Sequence, residues 1–124
     1  MIPKQPPRDG QSGFLYLPPY RIHGLSVAGE HTTITVPEMG VTFDMGQCTR
    51  ASLSSDIVAL SHSHMDHVGA IPYWFSQRFF QKLEGGRVVC HPETVDPLRR
   101  MLASWVDVER QKTPCDVVAI EPDS

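Results

Sequence analysis

The sequence predicts an α/β fold of the α+β type, in which a mixed β-sheet carries helices on one face. Short β-branched runs separated by turn residues fill the first half of the chain. Strand, helix, strand, helix and strand patterns alternate in the second half. The 124 residues are 40% hydrophobic and 20% charged, which is enough apolar material for one modest core.

The first half of the chain is predicted to contain a flexible arm followed by strands. Residues 1–13 hold three prolines and two glycines among polar residues, so burial cannot offset the entropy cost of ordering this segment. Residues 14–124 are expected to form the folded part of the chain. Its first strands are predicted at residues 20–23, 32–36 and 41–43, with tight turns between them.

The second half is predicted to alternate strands with helices. A compact apolar run leads into a polar, histidine-rich loop, which is typical of a buried strand that feeds a functional loop. Apolar residues then recur at helical spacing until a Gly-Gly pair ends the pattern. The expected elements are a strand at 56–60, a helix at 68–83, a strand at 87–90, a helix capped by Asp96 with Pro97 first, and a strand at 117–120.

Composition and charge narrow the classes of function. The formal net charge is −3, so no basic field recruits nucleic acid non-specifically, although RNA is not excluded as a substrate. No apolar run approaches the roughly 20 residues that cross a bilayer, and the N-terminus lacks a secretory signal, so we expect a cytoplasmic protein without a membrane partner. Cys48, Cys90 and Cys115 lack a Cys-x-x-Cys spacing and are expected to be reduced, mostly buried thiols.

Three histidines and an aspartate form a cluster directly after the predicted strand at 56–60. His62, His64, Asp66 and His67 fall within six positions, and imidazole and carboxylate are ligands of catalytic zinc. Residues two apart in an extended segment point the same way, so His62 and His64 can bind one ion. The turn into the helix redirects Asp66 and His67 toward a second ion. Two ions can activate one water, so we expect a hydrolytic metal centre.

Two segments resemble motifs of the metallo-β-lactamase superfamily. Residues 61–69, Ser-His-Ser-His-Met-Asp-His-Val-Gly, are similar to its H-x-H-x-D-H motif. Residues 41–46, Val-Thr-Phe-Asp-Met-Gly, are similar to its first motif, with Asp44 at the matching aspartate. Together with Val-Gly-Ala-Ile-Pro at 68–72, this order most resembles ribonuclease Z and its relatives. Met65 departs from that branch, which usually has glycine there.

The resemblance implies a metal-dependent hydrolase, with a ribonuclease Z-like phosphodiesterase of the tRNA 3′-processing type as the best single branch. It implies two zinc ions, with iron or manganese as alternatives, bound by His62 and His64 and by Asp66 and His67. Asp66 would be the catalytic residue that orients or deprotonates water, and Asp44 would support the loop from behind.

The resemblance also implies that residues 14–124 are an N-terminal fragment, half of a four-layer αββα sandwich, whose C-terminal half would supply further ligands. Such a half is expected to expose the sheet face meant for the other half and to be inactive alone.

Several alternatives remain open. The same fold can hydrolyse small esters, lactones or thioesters, and the loop could also hold one ion in a non-catalytic metal-binding module. The substrate is therefore RNA or a small ester-like molecule, and a homodimer is an alternative to the single chain. His23 and His31 are expected to be structural. His91 follows a strand and could face the site, but a role at the strand end or helix start is preferred.

Overall fold

A computed structural model describes residues 11–27 and 31–120, which contain one seven-stranded mixed sheet. The strands lie in chain order across the sheet. The first four are antiparallel, and the fourth to seventh are parallel. They are β1 (Gln11–Leu17), β2 (Tyr20–Val27), β3 (His31–Val36), β4 (Val41–Phe43), β5 (Ile57–Ala59), β6 (Arg87–Cys90) and β7 (Asp116–Ala119).

Helices connect the parallel strands, because a parallel pair needs a crossover rather than a tight turn. They are α1 (Arg50–Leu53), α2 (Met65–Val68), α3 (Ile71–Phe80) and α4 (Pro92–Glu109). A 3₁₀ turn at Pro37–Met39 joins β3 to β4. The predicted mixed α+β sheet is confirmed. In the described ranges no helix combines the length and the apolar character that crossing a bilayer requires.

The core lies between one face of the sheet and the two longer helices. Thr42, Val58, Val88 and Val117 are register partners across β4 to β7, and all four are buried. Because side chains alternate along a strand, this row forms one continuous face. α3 and α4 both pack on it, and their buried apolar side chains are Ile71, Trp74, Phe75, Val95, Leu98 and Leu102.

The opposite face of the sheet is apolar and partly open. Ile34, Phe43, Ala59 and Val89 are register partners on that face. Phe43 is 43% exposed. Ile57, which lies two residues before Ala59 on β5 and on the same face, is 37% exposed. Within the described residues, therefore, helices cover the sheet on one side only.

β1 was not predicted, and its first three residues fall inside the predicted arm. Residues 11–13 join a ladder with β2 that runs from the Gln11–Ser26 pair to the Leu17–Tyr20 pair. Cross-strand hydrogen bonds with β2 order this segment, and local composition cannot reveal them. The rest of the arm, residues 1–10, lies outside the described residues.

The predicted helix at 68–83 is observed as α3, which begins at Ile71 and ends at Phe80, and only Val68 of the predicted range lies in the preceding helix α2. The N–H of Ala70 donates to the carbonyl of Met45, 2.9 Å away, instead of continuing the hydrogen bonds of α2. Pro72, which has no N–H, then sits in the first turn of α3, where none is needed.

The prediction that Asp96 caps the last helix is wrong. α4 begins five residues before Pro97, at Pro92, and His91 is its N-cap. The His91 imidazole accepts the N–H of Glu93, and the fixed φ of Pro92 suits the first helical position. Asp96 and Pro97 therefore lie inside the helix.

A buried arginine ties the turn before β5 to the loop after α3. Arg78 is 3% exposed, and its Nη1 donates to the carbonyls of Leu53 and Ser55 at 2.8 and 2.6 Å. Its Nη2 donates to the carbonyl of Glu84 at 2.8 Å, and the guanidinium lies 5.3 Å from the centroid of the Trp74 ring. This one side chain satisfies three backbone acceptors that no strand or helix ladder serves.

Replacing Arg78 by methionine is expected to lower the free energy of unfolding by about 3 kcal/mol, because buried carbonyls lose their donors. Arg87→Gln is the matched control, since Arg87 forms an exposed pair with Asp116, and it should cost less than about 1 kcal/mol. Urea unfolding followed by circular dichroism measures both values. Equal losses in the two variants would contradict this account of Arg78.

Candidate metal centre

The site begins with an aspartate that leaves β4 in an unusual backbone conformation. Asp44 follows the last residue of β4 and has φ 64°, in the left-handed region that aspartate tolerates better than most residues. Its N–H donates to the carbonyl of Ala59 at 2.9 Å, which extends the pairing with β5 by one residue. The Asp44 side chain is buried and points at the loop that follows β5.

The carboxylate of Asp44 contacts both ends of that loop. At its start, Ser61 donates its N–H to Oδ1 at 2.8 Å and its hydroxyl to Oδ2 at 2.8 Å. At its end, Nδ1 of His67 lies 2.9 Å from Oδ2. These two atoms are close but not aligned for a hydrogen bond. One buried carboxylate thus holds residues six positions apart.

Backbone contacts lock the same loop onto the residues after Asp44. The N–H of Met45 donates to the carbonyl of His67 at 2.6 Å, and the N–H of Ala70 donates to the carbonyl of Met45 at 2.9 Å. Gly46 lies against the backbone of Asp66, and a Cβ there would collide with the Asp66 carbonyl. Glycine is therefore required by close approach, not by its own dihedral angles.

Three of the four predicted ligands meet. One ligand atom each from His62, Asp66 and His67 lies within 4.8 Å of the other two. Nε2 of His67 is 3.2 Å from Oδ2 of Asp66, and the rings of His62 and His67 have centroids 3.9 Å apart. His64, the N-cap of α2, is outside this group, with its ring edge-on to His62 at 4.8 Å.

The donor set fits a divalent transition metal. Two imidazoles and a carboxylate match the ligands of catalytic zinc. Nδ1 of His67 faces Asp44, and Nδ1 of His62 lies 3.0 Å from the hydroxyl of Ser61, so each ring has its Nε2 left for a ligand. A carboxylate or hydroxyl behind a histidine fixes the ring orientation in many metal sites. In the described part of the chain, no other group of three such side chains meets.

The remaining histidines lie elsewhere. The ring of His23 meets that of Phe14 edge to face, with centroids 5.1 Å apart, His31 begins β3, and His91 caps α4. Two contributors were not singled out from the sequence. Ser61 is recognisable only by its place between a buried strand and the first histidine, and Gly46 only as the glycine two residues after Asp44.

Curated relatives match most of the chain but only part of their own lengths. The tRNase Z TRZ1 of Arabidopsis thaliana is 37% identical over 82 residues, which cover 64% of this chain and 29% of the relative. The chloroplastic tRNase Z TRZ2 of the same plant is 30% identical over 83 residues, covering 67% and 23%. The nuclear ribonuclease Z of Triticum aestivum is 30% identical over 94 residues, covering 73% and 49%. The chain therefore spans half or less of each relative.

A solved structure is also similar, the metallo-beta-lactamase fold protein YhfI of Bacillus subtilis. It aligns with 94% of this chain and 46% of its own, at 16% identity and a TM-score of 0.48. No family model matches the chain.

The histidine and aspartate loop at the end of β5, held by Asp44 from the end of β4, is the arrangement that the resemblance to the metallo-β-lactamase class implied. Within that class, the sequence relatives make the chain ribonuclease Z-like over about two thirds of its length. The resemblance stated from the two motifs is confirmed.

The three thiols are free and stand apart from this group. Cys90 is buried, and Cys48 and Cys115 are half-buried. Burial raises the pKa of each thiol above its ordinary value, and the Glu109 carboxylate raises that of Cys115 further.

At pH 7.5 we therefore expect all three thiols to react with iodoacetamide more slowly than glutathione does, because the thiolate is the nucleophile. Their rates should rise only as the pH passes above the ordinary pKa of cysteine. Mass spectrometry of timed samples measures each rate, and the urea-unfolded chain is the control. A cysteine that reacts as fast as glutathione in the folded chain would contradict the prediction.

Replacing Asp44 by alanine should lower the zinc affinity about 10- to 100-fold, because Ser61 and His67 lose the carboxylate that orients the loop. Asp116→Ala is the matched control, since this exposed carboxylate pairs with Arg87 far from the loop. Competition with a chromogenic zinc chelator gives both affinities. Unchanged affinity in Asp44→Ala would show that the loop holds its shape without this contact.

Proposed function

We propose that this chain supplies part of a zinc-dependent phosphodiesterase centre of the ribonuclease Z type, acting in tRNA 3′ processing. The observation that carries the proposal is the meeting of His62, Asp66 and His67 in front of the buried Asp44. When bound, zinc would lower the pKa of a water toward neutrality and stabilise the charge that develops on the phosphate. The sequence relatives, named as tRNase Z or ribonuclease Z, favour a phosphodiester substrate.

The residues of the chain divide into ligands and supports. We propose His62 and His64 for the first ion and Asp66 and His67 for the second. His64 stays in the set because its ring already contacts that of His62. Asp66 would hold the attacking water through its carboxylate and accept its proton, since its side chain is mostly buried and lies beside His67.

Asp44 would act through the other residues. Its carboxylate does not belong to the group of ligand atoms, but it contacts Nδ1 of His67 and both donor groups of Ser61. This leaves Nε2 of His67 for the metal. Asp44 would therefore position the ligands without touching the substrate.

The substrate would be bound by residues close to the metal loop rather than by the charge of the whole chain. The net charge of −3 provides no general attraction for RNA, so contacts near the metal loop would have to supply the affinity. The cytoplasmic location and the homodimer remain predictions. Two of the relatives are named as nuclear and chloroplastic proteins, so location varies among them.

Zinc binding is the direct test, because all four proposed ligands lie in this chain. The chain, loaded with excess zinc and dialysed, should retain zinc at a stoichiometry approaching two, measured by plasma mass spectrometry. His67→Ala should lower the affinity at least about tenfold, because an imidazole ligand is lost. His23→Ala, a histidine on β2, should leave it unchanged.

The number of zinc ions bound and the substrate hydrolysed distinguish the three candidate functions. One ion that supports no hydrolysis would favour a non-catalytic metal-binding module. Zinc-dependent hydrolysis of p-nitrophenyl acetate, without cleavage of a precursor tRNA bearing a 3′ trailer, would favour a hydrolase of small esters. In a protein that spans the full length of the relatives, cleavage of the precursor that disappears in Asp66→Asn is the expected result, whereas this chain alone is expected to be inactive. Retention of zinc by a His62, Asp66 and His67 triple variant would overturn the proposed site.

A further inference from the structure

A fourth histidine lies at the same edge of the sheet as the metal loop. β5 and β6 are parallel with Ala59 level with Val89, and the N–H of Leu60 donates to the Val89 carbonyl at 2.9 Å. If the register is continued two residues past that pair, Ser61 comes level with His91. Neighbouring strands are about 4.8 Å apart, so the chain at His91 runs beside the start of the metal loop.

The ring of His91 is held as a hydrogen-bond donor. Its Nδ1 accepts the N–H of Glu93 at 3.1 Å, as the N-cap of the 18-residue helix α4. An accepting Nδ1 carries no proton, so the neutral ring must carry its proton on Nε2. Because His91 is exposed, this N–H is open to a ligand.

A groove connects the metal loop with the start of α4. It has a volume of about 260 Å³ and includes Ser63 of the metal loop together with Glu93 and Thr94 of the first turn of α4. Val68 and Leu98 contribute its apolar wall. The groove therefore runs from Ser63, next to His62, to the first turn of α4, and His91 is the residue directly before that turn.

We propose that His91 is a substrate-positioning residue that donates its Nε2–H to a phosphate oxygen next to the scissile phosphodiester. The inference rests on the proposed function and goes beyond the metal ligands. A neutral donor with a fixed tautomer suits this task, because it binds an anionic oxygen without bringing a second cation close to the metals. The capping bond to Glu93 fixes the ring while leaving Nε2 available.

His91→Ser is the informative variant, because serine also caps helices and lacks the distant N–H. The chain labelled with ¹⁵N-histidine and loaded with zinc is titrated with dimethyl phosphate, a phosphodiester without bases. We expect the His91 ¹⁵N shifts to report protonation at Nε2, and the Nε2 signal to move on titration. The dissociation constant for dimethyl phosphate should rise about tenfold in His91→Ser, with melting temperature and zinc content unchanged.

His23→Ser is the matched control and should bind dimethyl phosphate like the unmodified chain. An unchanged dissociation constant in His91→Ser, or a proton on Nδ1 of His91, would overturn the inference while leaving zinc binding intact. A chain that binds no zinc would refute the proposed function instead, and the zinc measurement on the same sample shows which of the two has failed. If His91→Ser lowers both the affinity for dimethyl phosphate and the melting temperature, His91→Asn is measured as a second capping variant. A His91→Asn chain that regains its melting temperature but not its affinity supports the inference. A His91→Asn chain that regains both overturns the inference.

Discussion

The carboxylate of Asp44 is the contact on which the site depends. It is 7% exposed, and it would be costly to bury without the donors that surround it. Ser61 provides two of them, and His67 lies against its second oxygen. The left-handed backbone at Asp44 is the local cost of aiming this group away from its own strand. Because the same carboxylate contacts Ser61 and His67, it fixes both ends of the histidine loop.

The sheet determines why the loop lies where it does. The antiparallel strands β1 to β4 lead into parallel strands, so the carboxyl ends of β4, β5 and β6 meet at one edge. Asp44, the histidine loop and His91 each follow one of these strands. Crevices outside the carboxyl ends of parallel strands are common ligand sites, since loops there converge from several strands. α3 and α4 hold that edge in place by packing on the buried row that includes Val58 and Val88.

Much of this arrangement was predictable from sequence because it is local. The strand at 87–90 and the approximate positions of β3, β4 and β5 follow from β-branched runs, and the ligand types at 62, 64, 66 and 67 are visible as a cluster. What failed depends on contacts distant in sequence. β1 is ordered by its pairing with β2, and the break before α3 by a hydrogen bond from Ala70 to Met45. The start of α4 depends on an imidazole acting as a cap, which is uncommon. The sequence spacing of the ligands also could not predict that the His64 side chain lies apart from the other three, because this depends on side-chain geometry.

The uncovered face of the sheet has a consequence for how this polypeptide behaves on its own. Phe43 and Ile57 lie on this face, in the two strands that lead into the site. Their side chains remain partly exposed, so the apolar surface of these strands is only partly buried. In concentrated solution such a surface promotes reversible self-association. Mild detergent or a low protein concentration would therefore suit spectroscopy of this chain. Its tendency to self-associate would depend more on this apolar face than on the metal loop.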